Sequence, residues 1–290
     1  MLKLAKYDSG NSNEHFTLKI QSPWSKNHFM KYQFPEWAYI AMSEFCLLGY
    51  TGKESTHLQP KQFPDLCFNK EGSKAWWSLT YPTNVTLEGE VAIVSENKIE
   101  TKVRIVNRAK RFFPGIDFCT CLNLLEMGED YNSTDPALKY FVSTEGLKTF
   151  DQLHHESGRA LRDEEKGFWK FSVAGTAGVY KNYWSNGVWT EHSTTPILEK
   201  AKLPFIARKS ASKDRFVAVL WSHGQTLLSN NVLACLHADP TLPNCPSGEE
   251  VTINGAILFH EGDLASLCTC AENTYHDLKE KDKVWETWHI

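Results

Sequence analysis

The side chains that can move protons near neutral pH gather late in this chain. In Cys235-Leu-His237-Ala-Asp239-Pro240 an imidazole and a carboxylate stand two residues apart. If that run is a strand, both project from one face and the carboxylate can orient the ring. His192, His223, His260 and Glu261 are the other acid–base candidates, each lying where an apolar or aromatic run gives way to polar residues. Trp184, Trp189 and Trp221, with Tyr180, supply flat aromatic faces, and Asn231 supplies an amide. Glycosidic chemistry or epimerisation needs an acid and a base about a sugar ring, with an aromatic surface beneath it. Arg159 and Arg162, close to His154 and His155, would suit a substrate carboxylate that must be neutralised before an α-proton leaves. The same groups have plainer uses. Polar loops are commonly just solvated, and a carboxylate such as Glu261 just before a helix is favoured by the helix dipole alone.

His192, His223 and His237 are metal-ligand types but lack H-x-H or H-x-x-x-H spacing, so no metal is expected from them and any cofactor is left open. The eight cysteines include no C-x-x-C. Cys119-Thr-Cys121 would lie on one face of a strand and Cys268-Thr-Cys270 in a helix; neither is a zinc-knuckle spacing, and buried free thiols are expected. Cys235 and Cys245 would close a small ring if bridged. The start, Met1-Leu-Lys-Leu-Ala-Lys, lacks the apolar core of a secretory signal, which favours free thiols and a cytoplasmic protein. Removal of a signal before Met1 would instead allow secretion, where the sequons Asn84-Val-Thr86 and Asn132-Ser-Thr134 would matter.

The elements that must hold these groups read as strands. Trp76–Tyr81, Val85–Val94 and Ile99–Val106 follow one another, the last alternating charged and apolar residues with period two. Gly115–Leu125, Phe168–Val173, Phe205–Lys209, Phe216–Trp221, Leu233–Asp239 and Glu250–Phe259 continue the pattern, and the pair around Ser210–Asp214 suggests a hairpin. Pro35–Gly49 fits helix or strand equally, because its apolar residues are too dense to separate the periods. Asp135 can cap a short helix. After Gly262, Asp263 can cap a longer one in which Leu264, Leu267, Ala271, Tyr275 and Leu278 share a face. The rhythm of strands alternating with 10–15-residue helices is absent, which points away from an α/β fold. The expectation is one all-β domain over residues 1–290, an antiparallel β-sandwich of supersandwich type. It has an irregular N-terminal segment (1–74) and a C-terminal helix (263–283).

A net charge of −4 without a basic run argues against nucleic acid, and no stretch is apolar for long enough to span a membrane as a helix. Val106-Asn107-Arg108, Pro114, Cys121, His237-Ala-Asp-Pro240, Pro246-Ser-Gly-Glu249, Gly255 and Glu261-Gly-Asp-Leu264 together resemble uncharacterised bacterial β-sandwich proteins of the galactose-mutarotase and polysaccharide-lyase type. The resemblance runs loosely from Trp76 to Leu278 and matches no catalytic signature residue by residue. It implies a sugar-binding sandwich and a saccharide ligand. The residues add the chemistry of a lyase or epimerase; the alternatives are a glycan-binding module without catalysis and a structural or interaction protein.

Overall fold

The structure is a computed structural model that describes residues 2–8, 17–40, 46–49, 65–161, 168–174, 183–185, 188–190, 197–230 and 233–284. In chain order its strands are Leu4–Lys6 (β1), Thr17–Gln21 (β2), Phe29–Ile40 (β3), Cys46–Gly49 (β4), Cys67–Phe68 (β5), Lys74–Thr80 (β6), Val85–Ser95 (β7), Lys98–Asn107 (β8), Ile116–Asn123 (β9) and Lys139–Ser143 (β10). Gly146–Thr149 (β11), Phe168–Ser172 (β12), Tyr183–Ser185 (β13), Val188–Thr190 (β14), Ala201–Lys209 (β15), Arg215–Trp221 (β16), Gly224–Asn230 (β17), Cys235–Leu242 (β18) and Glu250–Glu261 (β19) follow, and one α-helix, Leu264–Lys281 (α1), comes last. The first sheet runs β1-β2-β3-β9-β18-β17-β12, with β4 also on β3; the second runs β11-β10-β15-β16-β19-β8-β7-β6-β5, and β13 pairs β14 as a two-stranded sheet among the described residues. Pairing between strands is antiparallel throughout both sheets, as the period-two segments predict. The stretch that fits either period, Pro35–Gly49, contributes the end of β3 and β4.

The two sheets bury one face each against the other. From β18 the core takes Leu236, Ala238 and Leu242, and from β9 it takes Ile116, Phe118 and Leu122. Alternation then turns Cys235, His237 and Asp239, with Cys119 and Cys121, to the opposite face of the first sheet. The second sheet is covered on both sides at its centre. Phe216, Ala218 and Leu220 of β16 pack with Leu267, Ala271 and Leu278 of α1, while Val217, Val219 and Trp221 face the inter-sheet core. That is why Val217–Trp221 reads as an unbroken apolar run. Asp263 caps α1 by accepting the Ser266 N–H at 2.7 Å. At the other end Asp282 accepts from the Asn254 backbone and side-chain amides, each at 3.0 Å, and from the Ser222 hydroxyl at 2.9 Å, tying the helix to the sheet beneath.

A nest of aromatic rings fills the middle of the sandwich. Phe34 lies 5.5 Å from Tyr32, 5.7 Å from Phe118, 6.0 Å from Trp221 and 6.3 Å from Trp77, centroid to centroid. Both tryptophans face a glycine across the strand pair, Trp77 opposite Gly89 and Trp221 opposite Gly255. A Cβ on Gly89 would stand 2.3 Å from the Trp77 indole. Gly89→Ala is therefore expected to destabilise the protein by ~1–3 kcal/mol through overpacking, read as a lower denaturant midpoint; an unchanged midpoint would mean the ring is not confined there.

Lys139 is also interior, fully buried with its Nζ donating to the Ser229 hydroxyl at 2.8 Å. Burial lowers its pKa from 10.5 to about 8. Between about pH 8 and 10.5 the unfolded chain binds a proton that the folded chain has lost, so stability rises with pH across that window and the penalty is fully present below it. Relative to Lys139→Met, the wild type should gain on the order of 3 kcal/mol between those limits. Denaturation series at both pH values check this, and parallel curves for the two proteins would overturn it.

Candidate active site

The face of the first sheet turned away from the core carries a compact set of thiols, an imidazole and carboxylates. β18 supplies Cys235, His237 and Asp239; β9 supplies Cys119 and Cys121; β3 supplies Glu36. The β9–β18 ladder pairs Leu236 with Leu122 at one end and Leu242 with Ile116 at the other. That constant register sets His237 beside Cys121. Period two explains the composition of each strand's share: C-x-C and C-x-H both place two donors on one face.

Glu36 arrives differently. Gln33 pairs with Cys121 and Trp37 with Cys119, so Phe34, Pro35 and Glu36 of β3 stand opposite Thr120 alone. Such a bulge re-aims a side chain. Its other end is anchored, because the buried indole N–H of Trp77 donates to the Phe34 carbonyl at 2.9 Å and the Phe34 ring sits in the aromatic nest. The Glu36 carboxylate then lies 3.7 Å from His237 Nδ1 and 3.6 Å from Cys119 Sγ, while Cys119 Sγ is 3.8 Å from the same Nδ1. The ligand atoms of Cys121, Cys235 and His237 all lie within 4.8 Å of one another, and so do those of Glu36, Cys119 and His237.

Exposure grades these groups. Cys121 and Cys235 are buried, and His237 retains 5% of its surface. The Glu36 side chain keeps 24%, and Cys119 is half-buried, so these two form the accessible edge. Burial raises the Glu36 carboxyl above its usual range, against the opposing pull of His237. For His237 burial alone would lower the pKa, but the hydrogen bond with Cys235 and the charges of Glu36, Cys235 and Asp239 outweigh it and leave the imidazole raised. Cys121 and Cys235 share a hydrogen bond that drives their acidities apart. Cys121 goes well above an ordinary thiol, and Cys235 goes below it, helped by His237.

Asp239 projects from the same face as His237, as the two-residue spacing predicts. Its carboxylate accepts the Thr120 N–H at 3.4 Å and the Thr226 hydroxyl at 3.2 Å, so it bridges β18 to both neighbouring strands. The remaining sequence candidates fall elsewhere or outside the described residues. His223 lies 3.2 Å from Asp282 and 3.3 Å from Lys279, in the fastening at the end of α1. Glu261 pairs with Arg215 at 2.9 Å at the exposed end of β19. Arg159 donates to the Ala160 carbonyl in a short bridge with His154. Nearby, the carboxylate of Glu199 accepts the His154 backbone N–H at 2.9 Å and meets His154 Nδ1 at 2.7 Å, beside a cavity of about 320 Å³ that Lys148 also lines. Trp184 and Trp189 are opposite positions of the β13–β14 hairpin. Tyr180, Arg162, His192 and Asn231 lie outside the described residues. The sequence reading took Cys119, Cys121 and Cys235 for free thiols with a packing role, which they are in being unbridged, and did not single out Glu36. The matched C-x-C and C-x-H spacings were the available signal for the thiols, and nothing local marks Glu36.

No family model matches the chain. No curated protein matches it either. Among solved structures it is similar to a crystal structure from Klebsiella pneumoniae subsp. pneumoniae MGH 78578, provisionally described as an aldose 1-epimerase, with 8% identity and a TM-score of 0.28. The match covers 92% of this chain and 59% of that one, so this chain spans less than two thirds of the other's length. A likeness this slight assigns neither family nor activity.

Asp239→Asn keeps the volume but turns an amide N–H₂ toward one of the donors that the carboxylate accepts. Stability should fall by ~1–3 kcal/mol, the usual cost of an unsatisfied buried group. Thermal denaturation checks this; an unchanged melting temperature would remove Asp239 from the frame of the site.

Proposed function

We propose that this protein is a carbohydrate-active enzyme, an epimerase or lyase, whose reaction takes place on the outer face of the first sheet. Glu36 is the proton-transfer group. The observation that carries this reading is the contact between Glu36 and His237, a carboxylate held at the accessible edge of the site with a buried imidazole behind it. Both reactions begin by moving a proton at a sugar carbon or oxygen, which needs a carboxylate or imidazole within hydrogen-bond reach of the substrate. Glu36 meets the requirement of access; His237, 5% exposed, acts through it and is a positioning residue. The bulge in β3 and the aromatic nest below it hold the carboxylate on rigid backbone, as precise proton transfer demands.

The test is turnover. Free aldoses followed by proton NMR at the anomeric and neighbouring carbons would report epimerisation. Uronate-containing oligosaccharides followed by ultraviolet absorbance would report the unsaturated product of a lyase. Glu36→Gln is isosteric and cannot take up a proton, so kcat should drop ~10²-fold or more while the melting temperature holds. Undiminished turnover in this variant would remove Glu36 from the reaction. Sugar binding by the wild type with no conversion would replace the enzyme with a glycan-binding module.

A further inference from the structure

The two strand faces that meet at His237 contain more soft donors than proton transfer uses. Cys121 and Cys235 are 4% and 2% exposed, yet neither belongs to the apolar core between the sheets; they sit on the opposite face with an imidazole. A buried free cysteine is ordinarily a small hydrophobic group among other hydrophobic groups. These two instead bring sulfur against sulfur and both against nitrogen, all three ligand atoms within 4.8 Å. In a tetrahedral zinc site, bonds of ~2.0–2.3 Å put neighbouring donor atoms roughly 3.3–3.8 Å apart. The 4.8 Å limit that bounds the trio lies about 1 Å above that spacing.

We infer that Cys121, Cys235 and His237 bind a thiophilic divalent cation of the zinc class, with Glu36 and Cys119 flanking its remaining position. Several independent features of the fold support the assignment. Cys121 and His237 project from within regular strands and Cys235 from the first residue of β18, and β9 and β18 are each paired on both sides, so the geometry is held before the ion arrives. Two thiolates neutralise a dication, so a complex with this donor set can be buried without leaving net charge in a dry environment, where a lone ion would be costly. Two sulfurs and one nitrogen also leave a fourth position free, and the partly exposed edge of the cluster is where Glu36 and Cys119 stand. Sulfur donors select zinc-like ions over magnesium and calcium, which take oxygen ligands. The C-x-C and C-x-H spacings differ from those of zinc knuckles for a plain reason: on a strand, donors on one face must be an even number of residues apart, whereas knuckles use turns.

The experiment uses the full chain, fully reduced and stripped by dialysis against a chelator, then titrated with cobalt(II). One equivalent per chain is expected, with the strong visible absorption of tetrahedral cobalt and a near-ultraviolet sulfur-to-metal band. Zinc(II) should displace the cobalt and bleach both. Cys121→Ser, Cys235→Ser and His237→Gln should each lose the tight stoichiometric step, whereas Cys268→Ser, on α1, should keep it. Should a ligand variant fail to fold, as circular dichroism would reveal, the wild-type titration decides by itself. Absence of the sulfur-to-metal band in reduced wild type overturns the site, as does its survival in folded Cys235→Ser. A Cys121–Cys235 disulfide that reforms in preference to metal binding, seen by mass mapping without reductant, also overturns it. The outcome is separable from the proposed reaction: metal binding without sugar conversion sinks the reaction alone, and conversion by a protein that binds no metal sinks this site alone.

Discussion

One hydrogen bond between a tryptophan and a backbone carbonyl fixes where β3 leaves its register. The Trp77 indole reaches across the sandwich to Phe34, and the Phe34 ring is gripped by Tyr32, Phe118 and Trp221. Without that grip three residues would not stay opposite one, because a bulge forfeits regular pairing and must recover its free energy from packing. The glycines at 89 and 255 belong to the same constraint, since they are the sockets in which the two indoles lie. Core packing and site geometry are thus a single problem in this molecule.

Much of the architecture can be read directly from the residues. β7 and β8 alternate side chains so regularly that strand, partner and wet face all follow, with Glu88, Glu90, Lys102 and Arg104 forming half-buried cross-strand ion pairs. Gly262-Asp263 marks the start of α1 because a cap needs only local chemistry. Glu36 shows where such reading stops. Strict alternation from Phe34 would send it into the core, and only a bulge set by contacts with Trp77, far away in sequence, turns it out. The thiols fail for a related reason. Cys119-Thr-Cys121 and Cys235-Leu-His237 each look like ordinary strand positions, and the meaning lies in their adjacency, which is a property of register between distant strands. His223 and Glu261 have the residue types of a site, but local demands at a helix end and a strand end account for them.

The layering explains why this face was available. α1 covers the centre of the second sheet, and the inter-sheet core occupies the inner faces of both, so the outer face of the first sheet is where polar donors can gather without breaking either apolar cluster. Its donors are nonetheless well shielded from water. Shielding strengthens every charge interaction among them and makes an uncompensated one expensive. The cluster answers this with proximity, the ligand atoms of Cys121, Cys235 and His237 lying within 4.8 Å of one another.

Cys119 and His237 are separated by 118 positions along the chain. During synthesis at 5–20 residues per second, roughly 6–24 s pass between the appearance of one and the other. For that interval β9 exists without β18, and its two thiols face whatever oxidants and free cations the surrounding medium contains. A newborn chain therefore carries the Cys119 and Cys121 sulfur atoms while still unable to shelter them, so chaperone occupancy and ambient redox conditions during those seconds influence how much of the finished protein is intact.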